Sequence, residues 1–212
     1  MQYPDGRILV FAKAPIIGTV KTRLQPVLSA EQCCVLQQEL IEHTLSTVIE
    51  AQLCKVELWC APDFHHAFFK QCKNKFDVTL KQQTGENLGE RMYQALQTTL
   101  NKSDFAILIG TDCPGINKDY LAQACETLAS KTRSIVLGPA QDGGYVLIAA
   151  REISSTLFTN IEWGSNTVLE KTRIHLRRAE LSWMELESLR DIDRPEDLSY
   201  FALHYPQLAF LC

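Results

Sequence analysis

The chain's first apolar run leads straight into a cationic loop. After Arg7–Ala12 come Lys13-Ala14-Pro15-Ile16-Ile17-Gly18-Thr19-Val20-Lys21-Thr22-Arg23-Leu24, and no acidic residue occurs between Ile8 and Ala30. Three cations, a glycine and exposed backbone suit a phosphate. Each charge-assisted bond to a phosphate oxygen contributes about 1.5–3 kcal/mol, so two or three of them would hold a diphosphate. Lys13, Gly18, Lys21 and Arg23 are therefore candidate nucleotide-binding residues, with Lys21 placed to act on the reacting phosphates. The loop is not a Walker A sequence, because Val20 rather than glycine precedes Lys21, and Gly-x-Gly-x-x-Gly is absent. The plain alternative is a solvated basic loop.

A second candidate sits at Thr111-Asp112-Cys113-Pro114-Gly115, directly after the apolar Phe105–Gly110. One carboxylate at the end of a strand can hold Mg²⁺ or Mn²⁺, since Mg²⁺ takes one or two carboxylates and completes its shell with phosphate oxygens and water. Asp112 is the candidate metal ligand and Thr111 its nucleotide-facing neighbour; the alternative is an Asp that caps a turn. Cys113 has no histidine with a local signature to activate it as a nucleophile. In Gln141-Asp142-Gly143-Gly144-Tyr145 the Asp-Gly pair between apolar runs is a hairpin signal. Gly143 and Gly144 would also let backbone approach a ligand, with Asp142 a candidate acceptor base and Tyr145 and Trp163 candidate acceptor-wall residues. Gly85-Glu86-Asn87-Leu88-Gly89-Glu90-Arg91-Met92 reads either as a helix start or as a ligand-lining loop through Gly89 and Arg91. Asp191-Ile192-Asp193-Arg194-Pro195-Glu196-Asp197 places carboxylates before a helix opened by proline, an arrangement that helix dipoles also favour for structural reasons.

The elements that must position these residues alternate in type. Arg7–Ala12, Val56–Cys60, Phe76–Leu80, Phe105–Gly110, Ser134–Gly138 and Tyr145–Ala150 read as buried strands. Helical patterns fill the gaps: Ala30–Glu50, opened by a Ser29/Gln32 capping box, then Asp63–Lys73, Leu88–Leu100 and Lys118–Ser130, capped by Asn117. His65-His66 is expected on an exposed helix turn. The alternation predicts βαβ crossovers, a mostly parallel sheet and α/β class. Beyond Gly138, a helix at Thr167–Leu176, a strand at Ala179–Leu186 and a closing helix at Pro195–Tyr205 predict an antiparallel or mixed addition. Ligands of such sheets bind beyond the carboxyl ends of the strands, where the loops above lie.

At 212 residues, with 46% hydrophobic and 22% charged residues, the chain is long enough for one domain with its own core, and 1–212 is read as one unit. A net charge of -4 argues against broad nucleic-acid or membrane-surface binding. No apolar stretch approaches the ~20 residues of a membrane span or resembles a signal-peptide core, so a cytoplasmic location is expected. The eight cysteines include no Cys-x-x-Cys pair, and most are expected as buried apolar fillers. Oligomeric state is not encoded legibly.

"FAKAPIIGTVKTRL", "GENLGERM", "GTDCPG", "DGGYVLIA" and "DIDRPEDL", in this order and spacing, resemble a glycosyltransferase-like family of the nucleotide-diphospho-sugar transferase superfamily. More distantly they resemble molybdenum-cofactor guanylyltransferase and 2-phospho-lactate guanylyltransferase. The resemblance implies a GT-A-type, Rossmann-like three-layer α/β/α fold, with Lys21 and Arg23 near the phosphates, Asp112 on the metal and Asp193 or Asp191 as second carboxylate. It implies a metal-dependent transferase that moves a sugar from a nucleotide-diphospho-sugar to a small acceptor. Two alternatives stand beside it: a nucleotidylyltransferase joining an NTP to a phosphorylated small molecule with release of pyrophosphate, and a non-catalytic nucleotide-binding protein. The chain departs from the common patterns in three places. Thr111-Asp112-Cys113 replaces Asp-x-Asp, the first loop has only Gly18 where nucleotidylyltransferases are glycine-rich, and Arg194 replaces the usual threonine before Pro195.

Overall fold

A computed structural model describes residues 1–205. In chain order the elements are β1 (Gly6–Lys13), a 3₁₀ turn (Thr22–Leu24), α1 (Ala30–Glu50), β2 (Lys55–Ala61), α2 (Ala67–Phe76), β3 (Thr79–Gln82), α3 (Leu88–Leu100), β4 (Phe105–Ile109) and α4 (Lys118–Ala129). They continue with β5 (Ile135–Pro139), β6 (Tyr145–Ala150), a 3₁₀ turn (Ser155–Phe158), α5 (Val168–Arg178), β7 (Trp183–Glu185) and α6 (Pro195–His204). The seven strands form one sheet in the order β3-β2-β1-β4-β6-β5-β7. Six run parallel, and β6 alone is antiparallel, paired to β4 and β5.

Strand alternation divides the core between two helical layers. Ile8, Val10, Ile107, Ile109 and Val136 face one cluster built on α1, α2 and α4, with Ile41, Phe69 and Leu121. Leu9, Leu108, Ile135 and Ile148 face the other, built on α3 and α5, with Leu96 and Leu176. A smaller third cluster joins Leu24 and Leu28, Leu36 and Leu40 of α1, and Ile192 and Phe201. The expected three-layer α/β/α fold with a mostly parallel mixed sheet is thus the fold observed. Among the described residues no helix is long and apolar enough to cross a membrane.

Several boundaries differ from the sequence expectation. Phe76–Leu80 is not a strand: Phe76 ends α2, Asp77 takes a left-handed conformation (φ 51°), and β3 starts at Thr79. The apolar Phe76 ring serves the helix, where Lys75 lies 5.1 Å from its centroid. α2 starts later than Asp63, at Ala67, and His66 is its cap, accepting from the Phe68 N–H. α5 runs on to Arg178, which leaves only Trp183–Glu185 of the expected Ala179–Leu186 strand. β7 pairs parallel to β5, so the antiparallel element of the C-terminal half is β6. The Ser29 capping box is present as read, and the seven cysteines of the described residues are free and buried, while Cys212 lies outside them.

β1 is the point where connections diverge. The chain leaves it outward to β2 and β3, then crosses back to β4 on its other side. In open α/β sheets that divergence opens a crevice at the carboxyl ends of the two strands. The cationic loop after β1 and the Asp112 loop after β4 flank it.

Candidate functional site

Lys21 turns out of the first loop in a left-handed conformation (φ 50°), which swings its side chain inward. Its ammonium donates to Asp112 Oδ1 at 2.8 Å and to the Ile192 carbonyl at 2.6 Å. The lysine side chain is 4% exposed, whereas that of Asp112 is 52% exposed. The cation is thus held inside, and its carboxylate partner keeps a face open to a ligand. Two residues on, Arg23 Nη1 donates to Asp193 Oδ2 at 2.6 Å, with both side chains well exposed. Such a pair contributes little stability. It stands free to exchange partners.

The last loop is tied to this centre by backbone. The Ile192 N–H donates to the Asp112 carbonyl at 2.8 Å, and the Cys113 thiol to the Arg190 carbonyl at 3.2 Å. Asp197, at the third position of α6, accepts from the backbone N–H groups of Arg194 (2.7 Å) and Asp193 (3.1 Å) and from Arg190 Nε (2.8 Å). Burial opposes its charge, yet these bonds hold its carboxyl below the ordinary range. Arg194 in place of a capping threonine is therefore offset by Asp197.

Asp191 differs from its neighbours. Burial first, then repulsion from Asp142, Asp112 and Asp193, pushes its carboxyl up to about 6. No ion pair to it exists among the described residues. Four carboxylates, from the loops after β4, after β5 and before α6, therefore share one field, which also reaches Arg23. Among the described residues no three His, Cys, Asp or Glu side chains form a ready-made metal cage. Two carboxylates suffice for Mg²⁺ when a phosphate supplies the rest, so the excess negative charge around Asp191 fits a divalent cation.

The β5–β6 turn is the hairpin expected from Asp-Gly, with Gly143 at φ 92° and the Gly144 N–H donating to Asp142 Oδ1 at 2.8 Å. A Cβ on Gly143 would overlap the Asn166 carbonyl, and the Leu169 N–H donates to the Gly143 carbonyl. The paired glycines let the 163–169 segment approach the turn, and the backbone they expose is used internally. Asp142 itself is exposed.

Other candidates fall elsewhere. Lys13 donates to the Thr19 carbonyl at 2.6 Å and braces its own loop, in which Gly18 (φ 77°) faces open space. Thr111, expected beside the nucleotide, has its side chain buried. Gly89, expected to line a ligand, is buried beneath Trp163: a Cβ there would sit 2.5 Å from the indole. Arg91 Nε donates to the Gly85 carbonyl and secures that loop. The Tyr145 hydroxyl is buried, so the phenol of this expected wall residue is closed to a ligand. Gln83 was missed: its Nε2 donates to the carbonyls of Trp59 (2.8 Å) and Ala12 (3.3 Å), bracing the ends of β1 and β2. No local pattern could have revealed it. A hollow of about 650 Å³ beside Lys70, Lys73 and Asn74 lies at the α2–β3 edge, away from the carboxylates.

Comparison with known proteins identifies the family and the fold. A crystal structure of a proposed nucleotide-diphospho-sugar transferase from Desulfovibrio desulfuricans G20 is 27% identical, with a TM-score of 0.84 over 96% of this chain and 88% of that one. A CMP:2-keto-3-deoxy-manno-octonic acid synthetase complexed with CTP is 12% identical, with a TM-score of 0.61 over 96% and 99%. An inositol-1-phosphate CTP transferase from T. maritima is 13% identical, with a TM-score of 0.61 over 99% and 96%. The last two likenesses establish the fold alone. No curated protein matches the chain by sequence. The family pattern described as an uncharacterized protein conserved in bacteria matches residues 44–165, from the middle of α1 to the segment after Trp163. The chain therefore belongs to this bacterial family, DUF2064, and carries the nucleotide-diphospho-sugar transferase fold.

Proposed function

We propose that this chain is a metal-dependent transferase that takes a sugar from a nucleotide-diphospho-sugar and passes it to a small acceptor. The observation that carries the reading is the pair of alternating contacts at the β1/β4 crevice, Lys21 with Asp112 and Arg23 with Asp193. Two cations and two carboxylates at the mouth of a switch point suit a diphosphate and its counter-ion. The likeness to the Desulfovibrio protein, itself described as a proposed nucleotide-diphospho-sugar transferase, supports it.

In this reading Asp112, whose side chain keeps an open face beside Lys21, and Asp191 or Asp193 would hold Mg²⁺ or Mn²⁺. The metal supplies charge neutralisation on the diphosphate. Lys21 and Arg23 stabilise the negative charge that grows on the leaving diphosphate, an electrostatic contribution that needs no covalent intermediate. Asp142, exposed at the turn, is the group placed to accept the acceptor's hydroxyl proton.

A second reading, nucleotidyl transfer with pyrophosphate release, is favoured by one feature. The β4 end presents a single carboxylate in Thr111-Asp112-Cys113 where sugar transferases of this fold usually carry two.

Product analysis with Mg²⁺ or Mn²⁺ across UDP-, GDP-, ADP- and dTDP-sugars and the NTPs separates the readings. Release of nucleoside diphosphate supports the first; pyrophosphate release moves the assignment to the second. Asp112→Asn is expected to lower turnover at least about 100-fold in a protein that still folds, at a lower thermal midpoint because Lys21 loses its counter-charge; retained turnover removes the metal assignment. Absence of turnover with every donor leaves a non-catalytic nucleotide-binding protein.

A further inference from the structure

Beside the carboxylates lies an aromatic wall that neither the phosphates nor the metal requires. Trp163 precedes Gly164, which lies against the Arg23 guanidinium: a Cβ at Gly164 would be 4.0 Å from Nη2. The indole stacks on Phe158 at 6.3 Å and 29°, and Tyr93 leans on the same Phe158 at 6.2 Å. With the 3₁₀ turn at Ser155–Phe158 and the start of α3, these rings bound a hollow of about 370 Å³. That size falls within the range of small-molecule sites.

The polar groups of the hollow divide into those without a partner in the protein and those already bonded. The Trp163 indole N–H, the Tyr93 phenol, the Ser155 hydroxyl and the Asn160 carboxamide all line it, and none has a hydrogen-bond partner among the described residues. None of the four is sealed from solvent either. The other polar groups that line it are already used: Thr159 donates to the Thr156 carbonyl, and the one charged group, the Glu90 carboxylate, accepts from the Glu86 N–H and Asn87 Nδ2. No lysine or arginine lines the hollow, so it is not a second phosphate site.

We propose that this hollow binds an uncharged polyhydroxylated ring, a sugar or similar polyol, with the Trp163 and Tyr93 rings against its apolar face and Asn160, Ser155, the indole N–H and the phenol on its hydroxyls. Flat aromatic faces match the C–H face of such a ring, and hydroxyls and a carboxamide that both donate and accept, beside an indole N–H that donates, match vicinal hydroxyls. The inference rests on the transferase reading for its role: the ring is either the sugar of the donor or a sugar acceptor, and both present the same chemistry.

Calorimetric titration with Mg²⁺ present tests it. The probes are a nucleoside diphosphate alone, its hexose conjugate, and free glucose, mannose and N-acetylglucosamine added to the diphosphate-loaded protein. Two variants serve, Trp163→Phe, which keeps a ring on Phe158, and Asn160→Gly, which suits the positive φ of 56° at that position; thermal unfolding confirms that each folds. We expect the hexose-dependent gain in affinity to fall at least tenfold in both variants while diphosphate affinity stays within twofold. Gain confined to the conjugate assigns the hollow to the donor sugar; gain from free hexose assigns it to the acceptor. A hexose gain unchanged in both variants, or none in the parent protein, overturns the proposal even where the nucleotide binds. Hexose binding that depends on Trp163 and Asn160 in a protein that binds no nucleotide keeps the hollow and sinks the transferase reading.

Discussion

Asp191 carries a charge that the fold resists. Its carboxyl is raised to about 6 by burial and by Asp142, Asp112 and Asp193, so between about pH 4 and 6 the folded protein binds a proton that the unfolded chain has lost. Stability therefore falls as pH rises through that window, and the deficit is complete above about 6. Asp191→Asn is expected to stabilise the metal-free protein by about 1–2 kcal/mol at pH 7, after allowance for the side chain's partial exposure, and to leave it unchanged near pH 4. Urea unfolding at the two pH values checks this; an equal effect at both would show that charge is not the cause. The same substitution removes a proposed metal ligand, so greater stability should accompany lost turnover.

At the scale of elements, the turn between β5 and β6 is the most constrained piece of the rim. Gly143 combines φ 92° with a Cβ direction that meets the Asn166 carbonyl, so Gly143→Ala must displace either the turn or the 163–169 segment. A cost of at least about 2–3 kcal/mol follows, read by denaturant midpoint, whereas Gly144→Ala, facing only the flexible Asp142 side chain at 3.2 Å, should cost less. The Asp-Gly signal made this turn legible because it is local. So were β1, β4 and β6, continuous apolar segments, and α1, whose Ser29 and Gln32 bond each other as their spacing implied. β3 was misplaced because Phe76 is apolar for the sake of a helix end, and β7 because Arg177 and Arg178 extend α5. Contacts such as Lys21 to Ile192 span 171 residues and leave no mark in either segment. Resemblance alone gave Asp191 and Asp193 a metal role from the sequence, and while Trp163 was legible as a candidate acceptor wall, nothing local singled out Asn160 beside it.

Across the whole molecule, the site depends on a helix outside the sheet. Asp197 fixes residues 190–194 through three hydrogen bonds, and the third apolar cluster pins α6 to α1 and the first loop. Asp197→Asn is expected to cost about 1–3 kcal/mol at pH 7. Because the folded carboxyl is depressed, its contribution is present above the unfolded value of about 4 and is lost as pH falls through the folded one, so the gap between variant and parent should close in acid. Turnover should drop with it although Asp197 has no place at the phosphates; normal turnover would separate α6 from the site. The order of the chain gives this architecture a temporal side. All seven strands are complete by Glu185, whereas Asp191, Ile192 and Asp193 follow it. A ribosome therefore delivers the whole sheet, with Asp112 already opposite Lys21, before the Ile192 carbonyl and the Asp193 carboxylate, and a nascent chain interrupted between the two holds a scaffold in which Arg23 lacks its counter-charge.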